Sequence, residues 1–369
     1  MATILSHPLT GNYGGMLQAY ALTKTVHSFR LNVLYWDYEP DDLKQLFHSP
    51  LSRLKELVRI LLYRARQSEF CPYSTKKKTI SSFKSLWKMY LSTQNGNLKS
   101  NQAFIVGSDQ IWRASYCRSM KSTGFFFLDF ATREQRKRSI SYAASFGSDE
   151  WEGTPEETEE CGRLLREFKA VSVRERSGVK ICKEVFGVEA VQMPDPTLLL
   201  YTSDYGKIID SEKTWLPESK YVAAYVLDET AGKAELLQES TETLNLQLQH
   251  LMPHVTAKKR RDRFPISVPQ WLRLIRDCEY FITDSFHGCV FAIIYNKPFV
   301  CLGNEGRGNA RFDTLLGTFG LEDRMLTHAT PEEIHRVLHT PIDWERVNAI
   351  HNTERERGIN FLKENLSES

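Results

Sequence analysis

The stretch Thr3-Ile4-Leu5-Ser6-His7-Pro8-Leu9-Thr10-Gly11-Asn12-Tyr13-Gly14-Gly15 decides the fold class. Residues 3–6 are short and apolar, as a strand buried on both faces of a sheet must be. Residues 7–15 are crowded with proline and glycine, which end regular structure and let backbone come close to a ligand. Residues 16–27 then have helical spacing, with Leu17, Tyr20, Ala21 and Lys24 near one side, and 31–36 read as a second strand. Strand, glycine loop, helix, strand is the opening of a βαβ unit and therefore of a parallel sheet.

The same alternation runs on through the chain. Apolar runs predict strands at 103–106, 139–144, 170–173, 189–192, 221–227, 250–255, 280–283 and 299–302. Between and after them, helical patterns fall at 51–66, 80–91, 155–168, 178–185, 233–246, 270–277, 287–295, 311–319, 331–338 and 344–362. This is the pattern of parallel sheets covered by helices on both faces. A chain of 369 residues suits two such domains, and the boundary is expected between Asp195 and Trp215, after two prolines. Polar clusters sit where the predicted strands end: Asn12, Asp109, Ser145, Asp195, and Asp284 to His287. Open parallel sheets bind ligands beyond those ends, so two facing domains would form one cleft lined by these residues.

Composition narrows the class without naming the chemistry. With 41% hydrophobic and 25% charged residues the chain has the balance of a globular protein, and its net charge of +2 argues neither for nor against a nucleic-acid partner, which would need a localised patch. Seven cysteines, an odd number widely spaced and without a C-x-x-C pair, fit reduced thiols better than a disulfide frame or a zinc knuckle, so no metal-ligating residues are singled out, and the sequence leaves the need for a metal open. The first ten residues carry no basic lead and no apolar run of signal length, and no stretch approaches the length of a membrane helix. A cytoplasmic location is the expectation. Two basic runs stand out. Residues 51–90 hold ten basic side chains against two acidic ones, and Lys258-Lys259-Arg260-Arg261 is a second cluster. Each is read either as a solvated face or as a peripheral contact with an anionic membrane surface or a phosphorylated acceptor. No recognised RNA-binding module accompanies them.

Four local patterns carry chemical interest. In Thr283-Asp284-Ser285-Phe286-His287-Gly288 a strand stops and a helix starts. Ser285 is placed to cap it, the first backbone N–H groups can meet an anion, and His287 brings a group that exchanges protons near neutrality. The alternative is a capped helix with a structural histidine. Gly11 to Gly15 lacks both the G-x-G-x-x-G pattern and a P-loop lysine, so it is either a ligand-lining loop in which Asn12 bonds a substrate or a tight turn. Gly107-Ser108-Asp109-Gln110-Ile111-Trp112 joins carboxylate, amide and indole, the groups that grip sugar hydroxyls and stack under a sugar ring. Against that, Asp109 is a reasonable cap and Trp112 a reasonable core residue. In Ser172-Val173-Arg174-Glu175-Arg176 a guanidinium can hold a carboxylate or phosphate, or simply pair with Glu175.

Taken in order, these segments resemble the polysaccharide pyruvyl transferase family. The likeness is carried by Asn12-Tyr13-Gly14-Gly15-Met16-Leu17-Gln18-Ala19-Tyr20, Val106 to Trp112, Phe127-Leu128-Asp129-Phe130, Ser141 to Gly147, Ser172 to Glu175, Asp195 to Leu199, and Asp284 to Gly288. The resemblance implies two Rossmann-like domains facing across a cleft, similar to the GT-B glycosyltransferase fold. Residues 1–200 would form the acceptor side, 201–342 the donor side, and 343–369 a helix packing back on the first domain. It implies phosphoenolpyruvate as a substrate, with no separate cofactor, and a sugar or lipid-linked glycan precursor as acceptor. The family's donor-site arginine matches Arg174 and its catalytic histidine matches His287. Donor contacts are then expected from Arg174, Ser285, His287 and Gly288, and acceptor contacts from Asn12, Tyr13, Asp109, Gln110 and Trp112. Asp109 or Asp284 would activate a hydroxyl. A nucleotide-sugar glycosyltransferase and a non-catalytic carbohydrate-binding protein are the alternatives.

Overall fold

A computed structural model describes residues 2–7, 12–31, 33–36, 93–94, 103–120, 122–253, 265–303, 309–327 and 330–366. Gly11, the helices expected at 51–66 and 80–91, and both basic runs lie outside the described residues. In the first half the elements are β1 (Ala2–Leu5), α1 (Tyr13–Ser28), β2 (Val33–Trp36), β3 (Thr93–Gln94), β4 (Ala103–Val106), α2 (Ala114–Met120), α3 (Arg133–Arg136), β5 (Ile140–Ser141), α4 (Pro155–Leu165), β6 (Ser172–Val173), α5 (Arg176–Glu184), β7 (Val191–Gln192) and α6 (Thr202–Ile209). In the second they are β8 (Tyr221–Tyr225), α7 (Ala231–Leu244), β9 (Gln247–His250), α8 (Val268–Arg276), β10 (Tyr280–Thr283), α9 (Phe286–Ile294), β11 (Phe299–Leu302), α10 (Ala310–Phe319), β12 (Met325–Leu326), α11 (Pro331–His339) and α12 (Trp344–Leu366).

Two parallel sheets result, as the alternating pattern predicts. The first has the order β3-β2-β1-β4-β5, with Ala2 level with both Val33 and Ala103. Single bridges, Ile140 to Ala170 and Ala144 to Val173, carry it on to the β6–β7 pair, which completes a Rossmann-type order. The second has the order β12-β11-β10-β8-β9, a doubly wound sheet of the flavodoxin type. Strand order reverses between β1 and β4 in one sheet and between β8 and β10 in the other. Those two reversals are where such sheets open a crevice, and His7, Asp109 and His287 follow the strands beside them.

Caps set the helix starts that matter. The Asn12 side chain accepts the Gly15 N–H at the head of α1, and the Ser285 hydroxyl accepts the Gly288 N–H at the head of α9. Packing then joins the halves. One apolar core runs from α1 and the turn at Pro196–Leu199 to α6, α8 and α9, through Leu17, Leu198, Tyr205, Trp271 and Phe291. Each half has a second core on its outer face, around Trp112 and Phe127 in the first and around Val222 and Val337 in the other. The last helix, α12, lies against the first half. His351 and Arg355 bond the carbonyls of Leu198 and Leu199, and Phe361 meets the ring of Tyr142. No helix among the described residues is long and apolar enough to cross a membrane.

Candidate active site

His287 is the second residue of α9, and its ring lies where the two halves meet. On one side is Gly14 of α1, so close that a β-carbon there would fall 2.0 Å from His287 Nδ1. On another is Asp195, whose Oδ2 stands 3.5 Å from His287 Nε2, an ion-pair distance at which no hydrogen bond is formed. The Asp195 carboxylate is shared. Its Oδ1 accepts from the Thr197 N–H and hydroxyl, and its Oδ2 accepts from Arg174 Nη1 at 3.0 Å. Burial works against this charge, but His287 and then Arg174 outweigh it and hold the Asp195 carboxyl well below the usual range.

Arg174, 3% exposed, is the hub. Its Nε donates to Glu175, its Nη1 to Asp195, and its Nη2 points toward Asp109 at 3.7 Å without a hydrogen bond. The guanidinium also lies over the Phe286 ring, 4.4 Å from its centroid. Burial opposes the charge of Arg174, and Glu175, Asp195 and Asp109 together raise its pKa instead. Glu175 is held in turn by the Ser145 hydroxyl at 2.6 Å.

Asp109 owes its position to the backbone. Gly107, at φ 133°, passes so near the Tyr142 carbonyl that a β-carbon there would lie 2.2 Å from the oxygen. Asp109 follows in the left-handed region at φ 72°, a conformation that aspartate tolerates better than most residues. Its carboxylate accepts no hydrogen bond from the described residues and lies 3.4 Å from where a Gly15 β-carbon would be. Burial acts against its ionisation, but His7, Arg174 and His287 more than offset it, and Asp109 stays ionised.

The other expected residues divide. Asn12 is exposed at the head of α1, and Gln110 is half-buried over Gly147, with Arg113 as a partner. Trp112 requires a correction. It is fully buried, stacked on Phe127 with centroids 5.1 Å apart, and gives its N–H to the Phe126 carbonyl, so it has no face to offer a sugar. Tyr13 requires another. Its ring stacks on Trp271, and its hydroxyl donates to the Ile266 carbonyl at 2.7 Å, which makes it a tie between the halves. Gly288 serves packing, because its N–H goes to Ser285 and a β-carbon would strike Thr283. Asp284 is occupied as well. It accepts from the N–H groups of Leu227 and Asp228 and from Lys233 Nζ, fastening the end of β10 to that of β8.

Two residues have a larger part than the sequence assigns them. Asp195 is expected to line the cleft and lies in one of the family-like segments, but no role is read for it there. Arg311, in the first turn of α10, was read simply as part of a helix. It is 9% exposed, and among the described residues it makes no hydrogen bond or ion pair, with Nε wholly enclosed. Burial, and then the neighbouring Arg174, lowers its pKa to about 10. The usable sign was an arginine on the inward face of an apolar helix, since such a charge is seldom buried without purpose.

Comparison with known proteins adds the following. The sequence profile of the polysaccharide pyruvyl transferase family matches residues 12–306. No curated protein matches the chain. Among solved structures, the chain is similar to Arabidopsis thaliana UGT89C1 complexed with UDP, at 8% identity, 99% of each chain and a TM-score of 0.49. It is similar to the S. aureus MnaA–UDP complex at 11% identity, covering 99% of this chain and 97% of that one with a TM-score of 0.46. A third is the glycotransferase of kitacinnamycin, at 12% identity, 99% of each chain and a TM-score of 0.45. At these scores the likeness bears on neither donor nor acceptor.

Proposed function

The chain belongs to the polysaccharide pyruvyl transferase family, enzymes that move the pyruvyl group of phosphoenolpyruvate onto a sugar, and we propose that His287, Arg174 and Asp109 carry that chemistry here. The observation behind this reading is the junction itself. A histidine from one half is held between Gly14 and Asp195 of the other, within one buried cluster that also contains Arg174 and Asp109.

The overall reaction balances simply. The methylene carbon of phosphoenolpyruvate gains a proton and becomes the methyl group. One sugar hydroxyl adds to C2, a second closes the ketal, and the C2–O bond to phosphate breaks. Of the two protons the hydroxyls release, one is accounted for by the methyl group and one by the departing phosphate. His287 is suited to supply or receive a proton, and the Asp195 carboxylate stands 3.5 Å from its Nε2. Positive charge develops at C2, so nearby carboxylates favour the transition state. Asp109, ionised and accepting no hydrogen bond from the described residues, is suited to orient and deprotonate an acceptor hydroxyl. Arg174 has one nitrogen, Nη2, left to meet the donor. Asn12 and Gln110 lie at the acceptor side. We place the boundary of the acceptor half near residue 200. The acceptor we propose is a glycan precursor, presented at a membrane surface by its own lipid.

The test is acceptor-dependent phosphate release from phosphoenolpyruvate, with mass detection of the pyruvyl increment on the sugar. His287→Gln should lower turnover by about a hundredfold or more with a smaller loss of donor affinity. Asp109→Asn should reduce turnover more than it reduces donor binding. Near-normal turnover in His287→Gln would remove this histidine from proton transfer.

A further inference from the structure

Arg311 presents an unresolved charge. A guanidinium that is nine-tenths buried normally has a carboxylate or several carbonyls around it, because leaving water without such partners is costly. Around Arg311 the carboxylates are turned elsewhere. Glu175 and Asp195 bond Arg174, Asp195 also faces His287, and none lies within ion-pair distance of Arg311 among the described residues. The two arginines are neighbours nonetheless. Both line a pocket of about 20 Å³ with Asp195, Phe286 and Thr314, room for one water or one oxygen of a larger anion. Phe286 ties the group together, lying under the Arg174 guanidinium and edge-on to Phe312. Arg311 therefore belongs to the cluster around His287, and unlike Arg174 it commits none of its nitrogens to a carboxylate among the described residues.

We propose that Arg311 seats an anionic group of the donor, its carboxylate or its phosphate. The assignment rests on phosphoenolpyruvate being the donor and deepens it. Arg174 spends two of its three nitrogens on Glu175 and Asp195 and cannot alone hold a ligand with two anionic groups. Arg311 supplies the second cation, with a planar fork that matches either group. Burial, and then Arg174, lowers its pKa to about 10, which still leaves the side chain charged at neutral pH. The division of labour is then clear. Arg174 chiefly holds Glu175 and Asp195 and lends the donor only Nη2, and Arg311 supplies the fuller grip on the donor.

Calorimetry on the full chain tests this with wild type, Arg311→Lys and Arg311→Gln, using phosphoenolpyruvate, inorganic phosphate and pyruvate as separate probes. Arg311→Gln should weaken phosphoenolpyruvate by about thirtyfold or more, and Arg311→Lys, which keeps the charge without the fork, should lose less. Whichever of phosphate and pyruvate loses binding in parallel identifies the group that is seated. The ligand-free melting temperature of Arg311→Gln should not fall by more than about 2 °C, because an unpaired buried charge has been removed. Phosphoenolpyruvate bound by Arg311→Gln within threefold of wild type would overturn the proposal. So would normal binding in Arg311→Lys with a large loss of melting temperature in Arg311→Gln, the signature of a structural arginine. A wild type that ignores phosphoenolpyruvate but binds phosphate through Arg311 would instead overturn the donor and leave the anion seat standing.

Discussion

At the scale of single residues, the arginine the sequence nominates as a clamp is first a counter-ion. Removing it would leave Glu175 and Asp195 buried without their partner and Asp109 without its nearest cation. Arg174→Ala should therefore destabilise the fold by about 3–5 kcal/mol, read from urea unfolding, before any donor measurement can be interpreted. A change below about 1 kcal/mol would mean that the carboxylates can find other partners. Gly14→Ala should do the reverse. Alanine suits a helix better than glycine, yet its methyl would occupy the place of the His287 ring. Turnover should fall about a hundredfold, a larger effect than the loss of about 1–3 kcal/mol of stability that overpacking a buried contact brings, and normal turnover would mean that the ring can yield without cost. The sequence was legible here in its residue types and not in their directions. The Asp109 to Trp112 run did hold a cleft carboxylate and a core indole. The torsions at Gly107 and Asp109 decide which side chain turns which way, and no spacing rule reports them. Arg311 stayed hidden for a related reason, since its surroundings come from the far half of the chain.

At the scale of elements, the apolar strands were the easiest to read. β4, β10 and β11 fall where their runs of Val, Ile and Phe place them, because central parallel strands are apolar on both faces. β9 lies at 247–250 instead of 250–255, since an edge strand written Gln-Leu-Gln-His has no apolar run to mark it. β5, β6 and β7 have only two residues each, and single bridges replace the longer ladders expected. The start of α4 offers a clear test. Thr154 and Glu157 form a capping box behind Pro155, and Glu157 also pairs with Arg118. The bond to Arg118 is the largest influence on the Glu157 carboxyl, and it outweighs partial burial to lower its pKa to about 2. A depressed carboxylate stabilises the fold above its unfolded pKa and stops doing so as pH falls through its folded value. Glu157→Gln should thus cost about 1 kcal/mol at pH 7, solvent screening included, and progressively less from about pH 4.5 down to pH 2. A cost independent of pH would assign the effect to shape alone.

At the scale of the whole molecule, the halves are joined more firmly than two lobes about an open cleft. The core shared by α1, α6, α8 and α9, the Tyr13 tie to Trp271 and Ile266, and α12 lying on Leu198 and Leu199 all cross or brace the junction. Each half would expose apolar surface if its partner unfolded first. A single calorimetric transition is the expected outcome, with its van't Hoff and calorimetric enthalpies in agreement. Two resolved transitions would show that the shared core is weaker than its extent suggests.

The division of the histidine and its carboxylate between halves also governs how this enzyme can be recombined. A chimera that kept residues 201–342 and borrowed its opening half from an unrelated protein would inherit His287 without Asp195, Arg174 or Gly14. The histidine proposed to move the proton would be present but unaccompanied. If Asn12 and Gln110 meet the acceptor as proposed, new acceptor preferences are more accessible by local change around them than by wholesale exchange of a domain. The two halves form one heritable unit, and a gene fusion that parts them forfeits the reaction even where each half still folds.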